Sequence, residues 1–230
     1  MRQVIAALIM GGCILTTGCA GHRSDTPAAV TREAPVTTTV ARPVGEDALA
    51  GLLLGSDQVN SIMDATEMKV TRQRTALSDD SATMEPRACL AVDGAGQTLV
   101  YTNTGYTAAR AQTLRESNPF AHYVDQVVVL FSSAKRASSF VDIEAELWPS
   151  CHEYSHTQSG SQWSASPAAK AGGVLSVIAT QQNSGNSLWS CGRALTARNN
   201  VVIDVNTCSA DPKDTAAVIA GQIAAKVPVQ

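Results

Sequence analysis

A chain of 230 residues that is 44% apolar but only 4% aromatic can close one domain around Ala, Val, Leu and Ile. Its net charge of −3 and its lack of any basic run exclude nucleic acid as a partner, because backbone binding needs clustered Lys and Arg. No apolar segment beyond Leu15 approaches the length of a membrane span.

The first element in chain order is an export signal. Met1-Arg2-Gln3 supplies a basic start, Val4 to Leu15 an apolar run too short to remain in a bilayer, and Thr16-Thr17-Gly18-Cys19 a small-residue cleavage site. A cysteine directly after Gly18 fits the lipoprotein variant of such signals. There the thiol receives a diacylglycerol before the leader, residues 1–18, is removed. Leu15 stands one place from the usual lipobox position, and plain secretion is the alternative. The mature chain is expected to begin at lipidated Cys19, held on the outer side of the cell membrane by fatty chains such as palmitate. Each buried methylene contributes about 0.8 kcal/mol, so two or more chains give stable attachment. Residues 19–45, rich in Thr, Ala, Val, Arg and Pro without apolar period, read as a disordered tether.

The domain is expected over residues 46–230. Asp47 to Leu54 reads as a short helix broken at Gly55. Ser56 is a candidate cap for a second helix carrying Val59, Ile62 and Met63 on one stripe. Glu67 to Thr75 reads as a strand, Leu77 to Glu85 as a polar loop, and Pro86–Val92 and Gln97–Thr102 as weaker strands. Val124 to Phe131 is a central strand. Ser132-Ser133 then caps a helix over Ala134–Trp148, with Ala137, Phe140, Val141, Glu144, Leu147 and Trp148 on one face and Pro149 ending it. Val174 to Gln181 is another strand. Asp211-Pro212 opens a last helix that turns Val218, Ile219, Ile223 and Val227 inward. Antiparallel strands with helices between and after them make an α+β layout.

Setting aside Cys13 in the leader and Cys19 at its junction leaves Cys89, Cys151, Cys191 and Cys208, an even set that reads as a disulfide framework in an exported domain. Trp189–Thr196 and Val201–Cys208 are strand-like runs flanking Asn199-Asn200, a pair suited to a two-residue type I′ hairpin turn. That turn puts Cys191 directly opposite Cys208 in a non-hydrogen-bonded pair, where Cα atoms stand about 4.5 Å apart. Cys89 and Cys151 are then left to each other. The same register puts Ala194, Thr196, Ile203 and Val205 on a core face. Arg193, Leu195, Asp204 and Asn206 fall on a more polar one. Arg193 and Asp204 are diagonal neighbours, read first as a surface ion pair and second as the lining of a ligand cleft.

No reaction is legible. His152 and His156 flank Glu153 behind Cys151, but Pro149 has just ended a helix and Cys151 belongs to a disulfide, so a surface loop is expected rather than a metal site. A hydrolase would need a nucleophile–base pair within hydrogen-bond reach, which the chain order does not suggest. Trp148, Trp163 and Trp189 read as core or edge packing, and no cofactor is called for.

Trp148-Pro149-Ser150-Cys151, Trp189-Ser190-Cys191-Gly192-Arg193-Ala194-Leu195 and Arg198-Asn199-Asn200-Val201 through Cys208 together resemble the PknH-like extracellular sensor domain family, which includes stand-alone mycobacterial lipoproteins. The likeness runs from about Asp47 to Val227, and Cys-Gly-Arg-Ala-Leu followed by Asn-Asn-Val is its specific part. The resemblance implies a twisted antiparallel sheet packed with helices around a cleft, two disulfides in the pairing reached from the hairpin, and a role in binding an unidentified envelope ligand. Arg193, Asp204 and Asn206 are candidate polar contacts, with Tyr106 and Trp189 as walls. The alternative is a protein-interaction module that docks to a membrane receptor or envelope partner. With neither kinase domain nor span in these residues, whatever it binds would be sensed through another protein.

Overall fold

Val-Val-Val-Leu and Val-Val-Ile-Asp-Val are near-continuous apolar runs rather than alternating ones, the pattern of strands covered on both faces. The computed structural model describes residues 42–118, 120–185 and 188–229. The leader, Cys19 and most of the tether lie outside the described residues. Ten strands form one antiparallel sheet: β1 (Lys69–Arg74), β2 (Met84–Glu85), β3 (Tyr106–Arg115), β4 (Tyr123–Phe131), β5 (Glu153–His156), β6 (Gln162–Ala165), β7 (Ala169–Ala171), β8 (Val174–Gln181), β9 (Ser190–Arg198) and β10 (Val201–Ser209). Their order across the sheet is β1-β3-β4-β10-β9-β8-β6-β5-β2, with β7 added beside β8. One edge, β1, carries Lys69, Arg72 and Arg74, and the other, β2, has two residues; charge and brevity both discourage edge-to-edge pairing.

Helices cover both faces. Against one lie α1 (Leu49–Leu52), α2 (Ser56–Met63) and α6 (Thr215–Lys226), where Leu49, Val59, Ile219 and Ile223 pack on Val128, Ile203 and Val205. Against the other lie α3 (Leu90–Asp93), α4 (Thr98–Tyr101) and α5 (Ala134–Leu147), where Tyr101, Phe140 and Trp148 meet Val127, Val129, Phe131 and Val202. The α5 cap is as expected, Ser133 Oγ accepting from the Arg136 N–H at 3.3 Å. Leu147, however, is 55% exposed, because the chain tightens into a 3-10 turn over Trp148–Ser150 that turns only Trp148 inward.

The hairpin register is the expected one: Cys191 pairs with Cys208 across β9 and β10, with Cα atoms 4.1 Å apart and the disulfide formed. Cys89–Cys151 is the second disulfide. Of the two turn residues, Asn199 alone takes a positive φ, 51°, so the turn differs from type I′ while keeping its two-residue length, which is what sets the register. Asn200 is buried at the junction instead. Its Oδ1 accepts from the Val44 N–H at 2.7 Å, and its Nδ2 donates to Val44 O and Phe131 O at 3.1 and 3.0 Å. Asn200→Ala strands those buried groups and should cost about 3 kcal/mol, read as a lower urea midpoint at unchanged slope.

Several segments differ from the sequence reading. Pro86–Val92 and Gln97–Thr102 are helical turns, not strands: Arg87–Cys89 is 3-10, followed by α3, and Thr98–Tyr101 is α4. The intervening Gly96, at φ 62°, lets the chain double back onto the sheet. Tyr106–Arg115, to which the sequence reading assigned no element, is a strand that pairs with both β1 and β4. The segment behind Cys151, expected as a surface loop, is the ribbon β5–β6. Helix α2 is capped one residue early, with Gly55 N–H donating to Gln58 Oε1 at 3.3 Å. Helix α6 starts at Thr215 behind the Asp211-Pro212 turn, which leaves Val218 37% exposed while Ile219, Ile223 and Val227 are buried.

Candidate functional site

Strand periodicity carries β10 from core to cleft. Val202, Asp204, Asn206 and Cys208 share the face that α3, α4 and α5 cover. The helices roof only part of it. Val202 lies in the apolar core, Asp204 lies beneath α3 and α4, and Asn206 and Cys208 emerge into an open cleft of about 370 Å³.

The expected surface pair is interior. Arg193 Nη1 lies 2.7 Å from Asp204 Oδ1, with the two side chains 1% and 4% exposed. The contact is Coulombic rather than a hydrogen bond, since Asp204 Oδ1 has no hydrogen-bond donor. Asp204 Oδ2 accepts from the Gly96 N–H at 2.8 Å and from the Tyr101 hydroxyl at 3.0 Å. Arg193 donates to Ala91 O at 3.3 and 2.9 Å and to Val205 O at 2.7 Å, and its guanidinium sits 5.3 Å from the Trp148 ring centroid. Sequence reasoning placed this face in solvent because the short helices that cover it were read as strands. The pair clamps α3 and α4 to the hairpin and takes no part in the open cleft's lining.

Beside it, Trp148 Nε1 donates to Glu144 Oε2 at 3.0 Å. Burial pushes the Glu144 carboxyl up to about 7, with Asp204 adding to the rise and the Trp148 hydrogen bond and Arg193 opposing it. Folded Glu144 therefore keeps its proton where the unfolded chain has lost it, and stability falls as pH rises from about 4.5 to about 7. The full span is worth about 3 kcal/mol. Glu144→Gln, which still accepts from Trp148, should flatten that slope in unfolding midpoints measured from pH 4 to 8.

The cleft lies at the end of the sheet where β9 begins and β10 finishes, over the Cys191–Cys208 disulfide. Strand β1 contributes Arg72 and Arg74, β4 Tyr123 and Asp125, β5 His156 and β6 Trp163. Phe120 and Trp189 come from the segments leading into β4 and β9, their ring centroids 5.4 Å apart. Arg74 Nη2 meets Asp125 Oδ2 at 2.6 Å, and Thr113 Oγ1 donates to Asp125 Oδ1 at 2.8 Å. Burial raises the Asp125 carboxyl even so, Arg74 offsetting only part of it. Arg74 also donates to Ser78, while its buried Nε has no partner.

On the opposite wall His156 Nε2 meets Asp93 Oδ1 at 2.8 Å, and Asn206 Nδ2 donates to Asp93 O at 3.1 Å. The Asp93 hydrogen bond raises the His156 imidazole, burial opposing it. Ser161 Oγ lies 3.2 Å from His156 Nδ1, a nucleophile–base distance that chain order did not suggest. Ser161 is buried, accepts from Trp163 Nε1 at 3.1 Å, and does not line the cleft, so it acts here to position the imidazole.

Of the five candidate contacts, the cleft brings together Asn206 and Trp189. Arg193 and Asp204 lie beneath its roof, and Tyr106 packs edge-on to Tyr101 at 6.0 Å, outside it. Sequence reasoning missed Arg74, Asp93, Phe120, Tyr123 and Asp125 and weighed His156 only as a metal ligand; these residues come from four separate stretches of the chain. Among the described residues no cluster of His, Cys, Asp and Glu has the arrangement of a metal site. No described helix is long and apolar enough to cross a membrane.

Residues 44–226 match the model of the PknH-like extracellular domain family. The chain belongs to that family. The serine/threonine-protein kinases PknH of Mycobacterium bovis and Mycobacterium tuberculosis H37Rv are each 33% identical to it over 191 residues, covering 81% of this chain and 31% and 30% of theirs. The chain thus spans about a third of the length of the curated relatives it matches. The crystal structure of the extracellular domain of PknH from Mycobacterium tuberculosis superposes with a TM-score of 0.75 at 31% identity, covering 80% of this chain and 97% of that one. The PknH-like fold, an antiparallel sheet packed with helices and stapled by two disulfides, is therefore that of an extracellular sensor- or interaction-type module.

Proposed function

We propose that this PknH-like domain is tethered by lipid at Cys19 to the outer face of the cell membrane and receives a small envelope ligand in its cleft without catalysing a reaction. The cleft itself carries the reading. Open space of about 370 Å³, within the usual range of small-molecule sites, is walled by aromatic rings and paired polar groups over a disulfide-pinned hairpin. The charged walls are pre-paired, Arg74 with Asp125 and His156 with Asp93, so they stand oriented before any ligand arrives. Candidate contacts are Asn206 and Trp189 together with Arg74, Asp93, Phe120 and Gln97.

Thermal-shift screening against fractionated envelope extract tests it. A ligand at about 100 times its Kd adds about 2.7 kcal/mol, several degrees in Tm for a domain of this size. No shift with any fraction would sink the reading. The tether is tested separately: Cys19→Ala should abolish labelling by palmitate and move the protein out of the membrane fraction. The second reading, docking to a membrane receptor or envelope partner, is favoured by Ile143 and Leu147, one turn apart on α5 and each 55% exposed. Crosslinking in intact membranes separates the two.

A further inference from the structure

We infer that the ligand of this cleft is a neutral saccharide, an inference that rests on the cleft being a binding site at all. The first observation is where the chain spends its few rings. It has three Phe, three Trp and four Tyr, and Phe120, Tyr123, Trp163 and Trp189 all line this one cleft. Phe120 is left 50% exposed, tilted 38° to Trp189, with the Arg115 guanidinium 5.9 Å from its ring centroid. Large rings kept in water beside a concavity form a platform for an apolar face.

The second observation is the charge balance of the cleft's polar lining. Asp125 is matched by Arg74 and Asp93 by His156, while Asp80 Oδ2 accepts from Gln97 Nε2 at 2.7 Å. An anion entering here meets Asp80, Asp93 and Asp125. A cation meets Arg72 and Arg74. A bare acyl chain would bury these paired groups against hydrocarbon, at a cost. A neutral ring with C–H faces and hydroxyl edges satisfies both walls, because each hydroxyl both donates and accepts. Carboxylate and amide oxygens take its protons, and N–H groups take its oxygens.

The test uses the full chain in detergent on an array of neutral mono- to tetrasaccharides, followed by tryptophan-fluorescence titration with the best binders. Maltotriose, cellotriose and lactose serve as solution standards, and inorganic phosphate and decanoate as contrasts. At least one neutral saccharide should bind saturably and weaken tenfold or more in both Phe120→Ala and Trp189→Ala. Trp189→Phe, which keeps a ring, should retain most of the affinity, and Phe120→Ala, at an exposed position, should keep the parent Tm. A blank array overturns the inference, as does saccharide binding indifferent to both alanine variants. If an envelope fraction, phosphate or decanoate binds while the array is blank, the saccharide falls and the cleft reading stands. If nothing binds in either screen, both fall.

Discussion

Arg193→Ala should lower the unfolding free energy by about 3–5 kcal/mol, the range for removing one partner of a buried ion pair. The loss has a specific origin. Asp204 stays buried with one oxygen facing the vacated space, while Ala91 O and Val205 O lose their donor and Trp148 loses the cation beside its ring. Urea denaturation of the variant measures it. Arg193→Met combined with Asp204→Asn should recover a good part, because both charges are then gone and the volume is kept. If Arg193→Ala alone were as stable as the parent, the clamp would be no clamp, and the roofing of the hairpin by α3 and α4 would need another cause.

Cys89→Ala with Cys151→Ala should cost about 4 kcal/mol, since that bond closes a loop over a sequence separation of 62. Cys191→Ala with Cys208→Ala, at a separation of 17, should cost about 3 kcal/mol. The two differ in what else they disturb. Cys89–Cys151 ties the turn before α3 to the turn after α5, so its loss loosens the helices that cover Asp204. Cys191–Cys208 lies under the cleft between strands already joined along β9 and β10, so its loss should weaken ligand binding more than folding. Non-reducing peptide mapping together with urea unfolding of each pair separates these effects. Pairing of Cys208 with any other cysteine would break the register on which the hairpin depends.

Some elements were legible because their signal is local. Val174–Gln181 is a strand as read, Ser133 caps α5 as read, and the paired asparagines place Cys191 opposite Cys208. Strand β3 escaped because Ala108, Ala109 and Ala111 carry no strand preference of their own. Their small side chains suit a strand held between two partners, which no local window contains. Pro86–Val92 and Gln97–Thr102 failed in the opposite sense: short apolar runs whose period cannot separate a strand from a single helical turn. The cleft failed for a third reason. Arg74, Asp93, the Phe120–Asp125 stretch, His156 and Asn206 come from five separate segments, and no spacing rule joins them.

What the chain determines unaided is the covalent frame: four cysteines in the domain, a two-residue turn, and hence one pairing, because side chains alternate along a strand whatever lies above it. What the tertiary structure decides is which polar groups see water. Asp204 and Asn206 stand two residues apart on the same face of β10, yet one is sealed against Tyr101 and Arg193 and the other borders the cleft. The difference is only where the roof of α3 and α4 stops, and that edge is set by packing between segments about a hundred residues apart, as in the Arg193–Ala91 and Asp204–Gly96 contacts.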